Sequence, residues 1–304
     1  MYQELEKKMI EWRHILHQIP EKAFEEVKTS KFIAEKLKEM GYEVHCNIGK
    51  TGIVANLKAG TSSKAIGLRA DMDCIPINEI SDLPYKSQHT GCMHACGHDG
   101  HMATLLGAAY LISKNKNFNG TIRLIFQPGE ELGHGAKSMI NDGLFEKFPI
   151  EEIYGFHNMP ALTEGKIFAR VGGIMASEDN FTIKIIGKGG HSSAPNLVID
   201  PLVIAGNIIT ALQSIVSRNS DPIDTVVISC TEIITDGAHN VIPSNVIILG
   251  DTRSFSPKVQ KLVEKRMRNI VENICKAYGA KYEFYYTHEF SPTINTISCY
   301  KIAI

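Results

Sequence analysis

The order of periodic segments changes once along this chain, near residue 175, and that change limits the folds open to it. From 180 to 288 the segments run strand "FTIKIIG", a long apolar helix over 200–218, strands "TVVISCTEII" and "NVIILGDTR", a helix over 257–278 with a proline near its start, and strand "KYEFYYT". That β-α-β-β-α-β order is the ferredoxin-like split motif, in which two helices cover one face of an antiparallel sheet. Before it, helical and strand periods alternate. Residues 2–18 and 28–40 have amphipathic helical spacing, the second ending at Gly41. The β-rich runs "EVHCNI", "GIVANLK" and "AIGLRA" follow, then a helix whose stripe is Met102, Leu105, Leu106, Ala109 and Ile112. "TIRLIF", a helix near 135–142 and the strand "IYGF" complete the first part. Alternating strands and helices predict a layered α/β domain. The split motif reads as a second domain inserted into it: residues 1–175 and 290–304 form the first, and 176–289 the second.

Charge narrows the partners. With 32 Lys+Arg against 33 Asp+Glu and a net charge of −1, nothing favours nucleic acid or an anionic membrane surface. No apolar run reaches the roughly 18 residues that cross a bilayer. The start "MYQELEKKMIEWRHIL" alternates charge with apolar residues, unlike the core of a signal peptide. Seven scattered cysteines, at 46, 74, 92, 96, 230, 275 and 299, do not form a secreted disulfide framework. A reduced, cytoplasmic protein is expected.

Polar clusters fall at strand ends, where ligands gather in open α/β sheets. "AIGLRA" runs into Asp71-Met72-Asp73, "TIRLIFQP" into Gly129-Glu130-Glu131, and "IYGF" into His157. The stretch "CMHACGHDGH", residues 92–101, adds thiols and imidazoles at a helix start. Positive partial charge there favours a thiolate at Cys96, and thiolate with imidazole, as at Cys96 and His98, suits zinc and related divalent ions. Cys92 and Cys96 could instead form a redox pair, although their spacing is CxxxC rather than CxxC. His94 and His101 stay open between supporting the site and simply packing. The adjacent carboxylates Glu130 and Glu131 are costly without a cation. Together they offer two functions hydrolysis needs: one ligates a metal and the other takes a proton from water.

These motifs resemble, in order and over residues 12 to 296, a family of metal-dependent amidohydrolases. "HQIPE", "LRADMDCIP", "CMHACGHDGH", "QPGEE", "GFHNMP", "GKGGHSSAP", "NVIP" and "GDTR" carry the resemblance. The family includes hippurate hydrolases, N-acyl-amino-acid deacylases and auxin-conjugate hydrolases, and is related to aminoacylases and dimetal carboxypeptidases. The resemblance implies an α/β dimetal-peptidase-like catalytic domain carrying a ferredoxin-like lid that also dimerises. It implies hydrolysis of the amide bond of N-acyl amino acids with two divalent ions, zinc, manganese, nickel or cobalt. Residue by residue, Cys96, His98, Glu131 and His157 match metal ligands, and Glu130 matches the base that later protonates the leaving amine. Asp73 matches a carboxylate that orients a ligand. At Asp71 the wider peptidase group has a histidine ligand, which this subfamily replaces. His191 matches a donor to the oxyanion, often supplied by the partner subunit, while Asn240 and Arg253 match residues that bind the substrate carboxylate.

Family members continue through a final histidine ligand in an Asn-His-Ser-like motif, and after His157 this chain has only His191, His239 and His288. The resemblance therefore implies a C-terminally truncated chain with a weakened second metal site. Two further readings accompany the hydrolase: an impaired remnant that only binds metal and dimerises, and a thiol redox protein using Cys92 and Cys96.

Overall fold

The computed structural model describes residues 2–160 and 162–304. Two compact units share the chain, Met1–Lys166 and Ile167–Ile304.

The first unit opens with helices α1 (Tyr2–Gln18) and α2 (Val27–Glu39), then strands β1 (Glu43–Ile48), β2 (Gly52–Ala59) and β3 (Ala65–Asp71). Helix α3 (His98–Lys114), strand β4 (Gly120–Gln127), helices α4 (Gly135–Asn141) and α5 (Leu144–Lys147) and strand β5 (Glu152–Gly155) follow. The five strands form one sheet in the order β1-β2-β4-β3-β5. β1, β2 and β4 pair antiparallel, whereas β4, β3 and β5 run parallel. Parallel pairing needs crossovers, which α3 and the α4–α5 segment provide. Leu5, Trp12 and Leu16 of α1, Ile33 and Leu37 of α2, and Met102 and Leu106 of α3 close one core with Leu124 and Phe126. A smaller core of Ile48, Val54, Ile125, Met139, Leu144 and Phe148 sits with α4 and α5. Because the neighbours Leu124, Ile125 and Phe126 divide between these cores, the sheet is covered on both faces.

The second unit begins with β6 (Gly172–Met175), β7 (Glu178–Ile186) and β8 (Gly190–His191), then a 3₁₀ turn over Pro195–Leu197 and helix α6 (Pro201–Arg218). Strands β9 (Val226–Thr235), β10 (Val241–Ile242) and β11 (Asn245–Ser254), helix α7 (Pro257–Tyr278), strands β12 (Lys281–Phe290) and β13 (Thr293–Asn295) and helix α8 (Ile297–Ala303) complete it. β12-β7-β11-β9 is an antiparallel sheet, so the expected β-α-β-β-α-β motif is present. Both of its helices start where capping chemistry demands. Asp200 and Ser256 accept from the backbone N–H two residues on, and each is followed by a proline in the first turn.

Two sequence expectations meet a different arrangement. Residues 167–175 and 290–304, expected with the first domain, group with the second unit, where β13 pairs with β6. Also, α6 is long and apolar enough by length and composition to cross a membrane, with a mean hydropathy of 1.2 over 18 residues. Its apolar stripe is the reason: Ile204, Ala205, Ile208, Leu212 and Ile215 pack into the second unit's core against Phe181, Ile183 and Val246.

Candidate metal centre

β3, β4 and β5 lie side by side and parallel, so their carboxyl ends open on one edge of the sheet. Asp71 ends β3 and Asp73 follows it, Glu130 and Glu131 follow β4, and His157 follows β5. Helix α3 starts at His98 and brings Cys96 with it. Gly97 makes that start possible. It holds φ = +94°, and a Cβ there would collide with the Asn158 side chain.

The donors converge. Cys96 Sγ lies 3.6 Å from His157 Nε2. His98 Nε2 is 3.6 Å from Asp71 Oδ2, 3.8 Å from Glu131 Oε1 and 3.9 Å from Glu130 Oε2. Three overlapping groups each bring their ligand atoms within 4.8 Å: Cys96-His98-His157, His98-Glu130-Glu131 and Asp71-His98-His101. His98 is fully buried and donates from Nδ1 to the Asp73 carbonyl at 2.9 Å; since a carbonyl only accepts, Nε2 is the atom aimed into the cluster. That Nε2, Glu131 Oε1 and Asp73 Oδ1 are buried without a hydrogen-bond partner. Buried polar atoms are rarely left so unless something else completes them. A mixed set of thiolate, imidazole and carboxylate fits a borderline divalent ion.

Proton affinities in the cluster describe crowded negative charge. The hydrogen bond with His157, helped by the nearby His98 ring, holds the Cys96 thiol below its ordinary range, and the His157 ring rises in turn, chiefly through Cys96. Burial, then the Asp71 charge, raises Glu130; burial also raises Glu131. For His98 burial pulls downward, but Asp73, Cys96 and Asp71 outweigh it and push the imidazole up to about 11.

Asp73, expected to orient a ligand, accepts the Glu131 backbone N–H at its Oδ2 at 2.9 Å. The sequence alone points to no task for Asp71 and leaves His101 open between supporting the site and packing. Asp71 accepts from Arg69 Nη1 at 2.7 Å and from His101 Nδ1 at 2.6 Å, and the other His101 nitrogen lies 2.6 Å from Asn158 Oδ1. These bonds, the one to Asp71 buried and the one to Asn158 half-buried, brace the residues around His157; they join positions 30 and 57 apart in the chain, so no local spacing reveals them. His94 is buried with both ring nitrogens unpartnered, and burial lowers it to about 4. Cys92 and Cys96 are free thiols, and the polar partner of Cys96 is His157.

Of the remaining expected residues, His191 and Asn240 come together in the second unit. β8 pairs with β10 through His191↔Val241, and the Ser192 N–H donates to the Asn240 carbonyl at 3.0 Å. His191 Nδ1 receives the Ser193 N–H at 3.2 Å and lies 2.8 Å from its hydroxyl, which leaves the ring proton on Nε2. Arg253 lies elsewhere in that unit, held by Glu178 at 2.7 Å and Asp251 at 2.6 Å.

The sequence profile of peptidase family M20/M25/M40 matches residues 67–303. The chain belongs to that family. It is 49% identical over 266 residues to a hippurate hydrolase of Campylobacter jejuni, spanning 87% of this chain and 69% of the relative. To an N-acetyl-L-cysteine deacetylase of Bacillus subtilis it is 42% identical, over 91% of this chain and 66% of the relative, just under two thirds of that protein's length. Among solved structures, a dinuclear metal-binding M20 peptidase from Bacillus subtilis superposes with a TM-score of 0.83 at 35% identity, covering 99% of this chain and 79% of that one. The M20 assignment agrees with the expected α/β fold and with a metal-dependent hydrolase, and gives no support to the thiol redox reading.

Proposed function

We propose that this chain hydrolyses the amide bond of N-acyl amino acids, using two divalent ions held by Cys96, His98, Glu131 and His157. The observation that carries the reading is the buried, unpartnered Nε2 of His98, ringed by carboxylates and placed beside a thiol and a second imidazole. Zinc, manganese, nickel or cobalt would, when bound, polarise the carbonyl and acidify water. Glu130 takes a proton from the water that adds to the carbonyl carbon, and its raised proton affinity suits it to hold that proton and give it to the amine as the C–N bond breaks. Asp73 holds Glu131 through its backbone, and Asp71 with His101 braces the segment carrying His157. His191, with its proton on Nε2, donates to the carbonyl oxygen as that atom becomes negative. Asn240, on the same ribbon, is assigned to the substrate carboxylate. Arg253 could share that task only by releasing one of its two carboxylates.

The names of the two relatives favour benzoyl- and acetyl-amino acids as substrates to test. The proposal includes a homodimer formed through the second unit and a cytoplasmic setting. Glu130→Gln is the experiment. Turnover of hippurate or an N-acetyl amino acid should fall roughly 10²- to 10⁴-fold while bound metal per chain stays unchanged. Full activity in this variant would overturn the assignment.

A further inference from the structure

Glu26 is a fully buried carboxyl in the loop between α1 and α2, far in sequence from every residue of the metal centre. A carboxyl in such a position is costly unless its bonds secure something. Its Oε2 accepts from Thr51 Oγ1 at 2.5 Å, and its Oε1 accepts the backbone N–H of Gly129 at 2.8 Å. Gly129 is the residue immediately before Glu130. On the other side, the N–H of Glu131 is held by Asp73 Oδ2 at 2.9 Å. Glu130 therefore sits between two backbone amides, each fixed by a buried carboxylate.

The same loop grips this segment by shape. The Phe24 ring lies against the Cα of Gly129, where a Cβ would come within 2.9–3.1 Å of it. Phe24 itself holds φ = +66°, unusual for a bulky residue, and Gly129 holds +57°. Lys50 Nζ covers the ring at 4.3 Å. The loop also reaches the neighbouring strand end, since the Glu21 carbonyl accepts the N–H of Cys74, next to Asp73, at 2.9 Å. One loop thus fastens both segments that carry the acidic residues of the site.

We infer that Glu26 is a positioning residue that sets the placement of Glu130 and Glu131 through the Gly129 amide. The inference rests on the roles proposed above for those two glutamates. Glu26 touches neither substrate nor cation in this scheme. Its contribution is a fixed backbone, of the kind whose loss weakens metal binding roughly ten- to hundredfold.

The test compares Glu26→Ala, Glu26→Gln and Thr51→Val in the full chain, reading zinc affinity by calorimetry, kcat and KM on an N-acetyl amino acid, and the melting temperature. Gln keeps an acceptor for Gly129, while Thr51→Val removes only the other bond. The expected result is a roughly tenfold or greater loss of zinc affinity and of kcat in Glu26→Ala, with KM within about threefold. Glu26→Gln and Thr51→Val should stay within about threefold of wild type in both, even where Thr51→Val melts as low as Glu26→Ala. If Glu26→Ala does not fold, Glu26→Asp, one methylene short of Gly129, takes its place under the same criteria. Zinc affinity within twofold of wild type in the folded variant would overturn the inference, as would an equal loss in Thr51→Val. A wild-type chain that binds zinc but hydrolyses nothing would sink the proposed function alone, since the affinity series still decides the role of Glu26.

Discussion

Proton release on metal binding is the sharpest consequence of the His98 environment. His98 is fully buried, with carboxylate oxygens of Asp71, Asp73, Glu130 and Glu131 between 3.5 and 3.9 Å from its ring nitrogens. Burial pulls the ring down, but Asp73, Cys96 and Asp71 outweigh it and push the imidazole up to about 11 before a cation binds. To offer its Nε2 lone pair to a cation, His98 must lose that proton. At pH 7.5 the gap is about 3.5 units, and at 1.36 kcal/mol per unit deprotonation opposes binding by roughly 5 kcal/mol. The direction follows: a group that must deprotonate makes apparent affinity rise with pH, by up to about tenfold per unit below its own value. Zinc titration by calorimetry at pH 7.5, in buffers of different ionisation enthalpy, should show about one proton released by His98, in addition to any the Cys96 thiol still carries. His98→Gln should remove that proton and most of the affinity. A wild-type release near zero would refute the reasoning, because His98 would then have been neutral before the metal bound.

Two other consequences can be checked directly. Asp71 is buried between Arg69 and His101, and although burial works against it, these partners hold its carboxyl well below the usual carboxylate range. A group depressed in the folded state stabilises above its unfolded value of about 3.9, and that contribution is lost as pH falls through the folded value. Asp71→Asn should therefore cost about 3 kcal/mol at pH 7 by thermal melting, with the deficit shrinking toward low pH; an equal melting point at pH 7 would contradict it. Ser193→Ala keeps the backbone N–H but removes the hydroxyl beside His191 Nδ1. It should lower kcat by a few-fold, against roughly 10²-fold for His191→Ala, with zinc affinity untouched in both.

Much of this architecture is legible in the sequence because its signals are local. Strand ends carrying Asp73, Glu130-Glu131 and His157, and a helix starting at Cys96-Gly97-His98, follow from period and turn chemistry. The capped, proline-started helices α6 and α7 do too. What stayed hidden depends on distant pairing. The Glu26–Gly129 bond joins residues 103 apart, and the Asp71–His101 bond residues 30 apart. The short strands β6, β8, β10 and β13 have two to four residues each, too few for a period to show. Grouping of the last fifteen residues with the second unit follows from one such pairing, β13 with β6. Arg253 matches a carboxylate-binding residue through the family resemblance, yet two neighbouring carboxylates already engage it.

The central claim, that Cys96, His98, Glu131 and His157 form a metal centre driving amide hydrolysis, is tested most directly by stripping and reloading. The chain is dialysed against a chelator, then supplied with zinc, manganese, nickel or cobalt and assayed on hippurate and N-acetyl-L-cysteine, with bound metal measured by plasma spectrometry. No turnover is expected after stripping, with turnover restored by at least one of the four ions in proportion to metal bound. Turnover that survives complete stripping, or a folded chain that takes up none of the four, would contradict it.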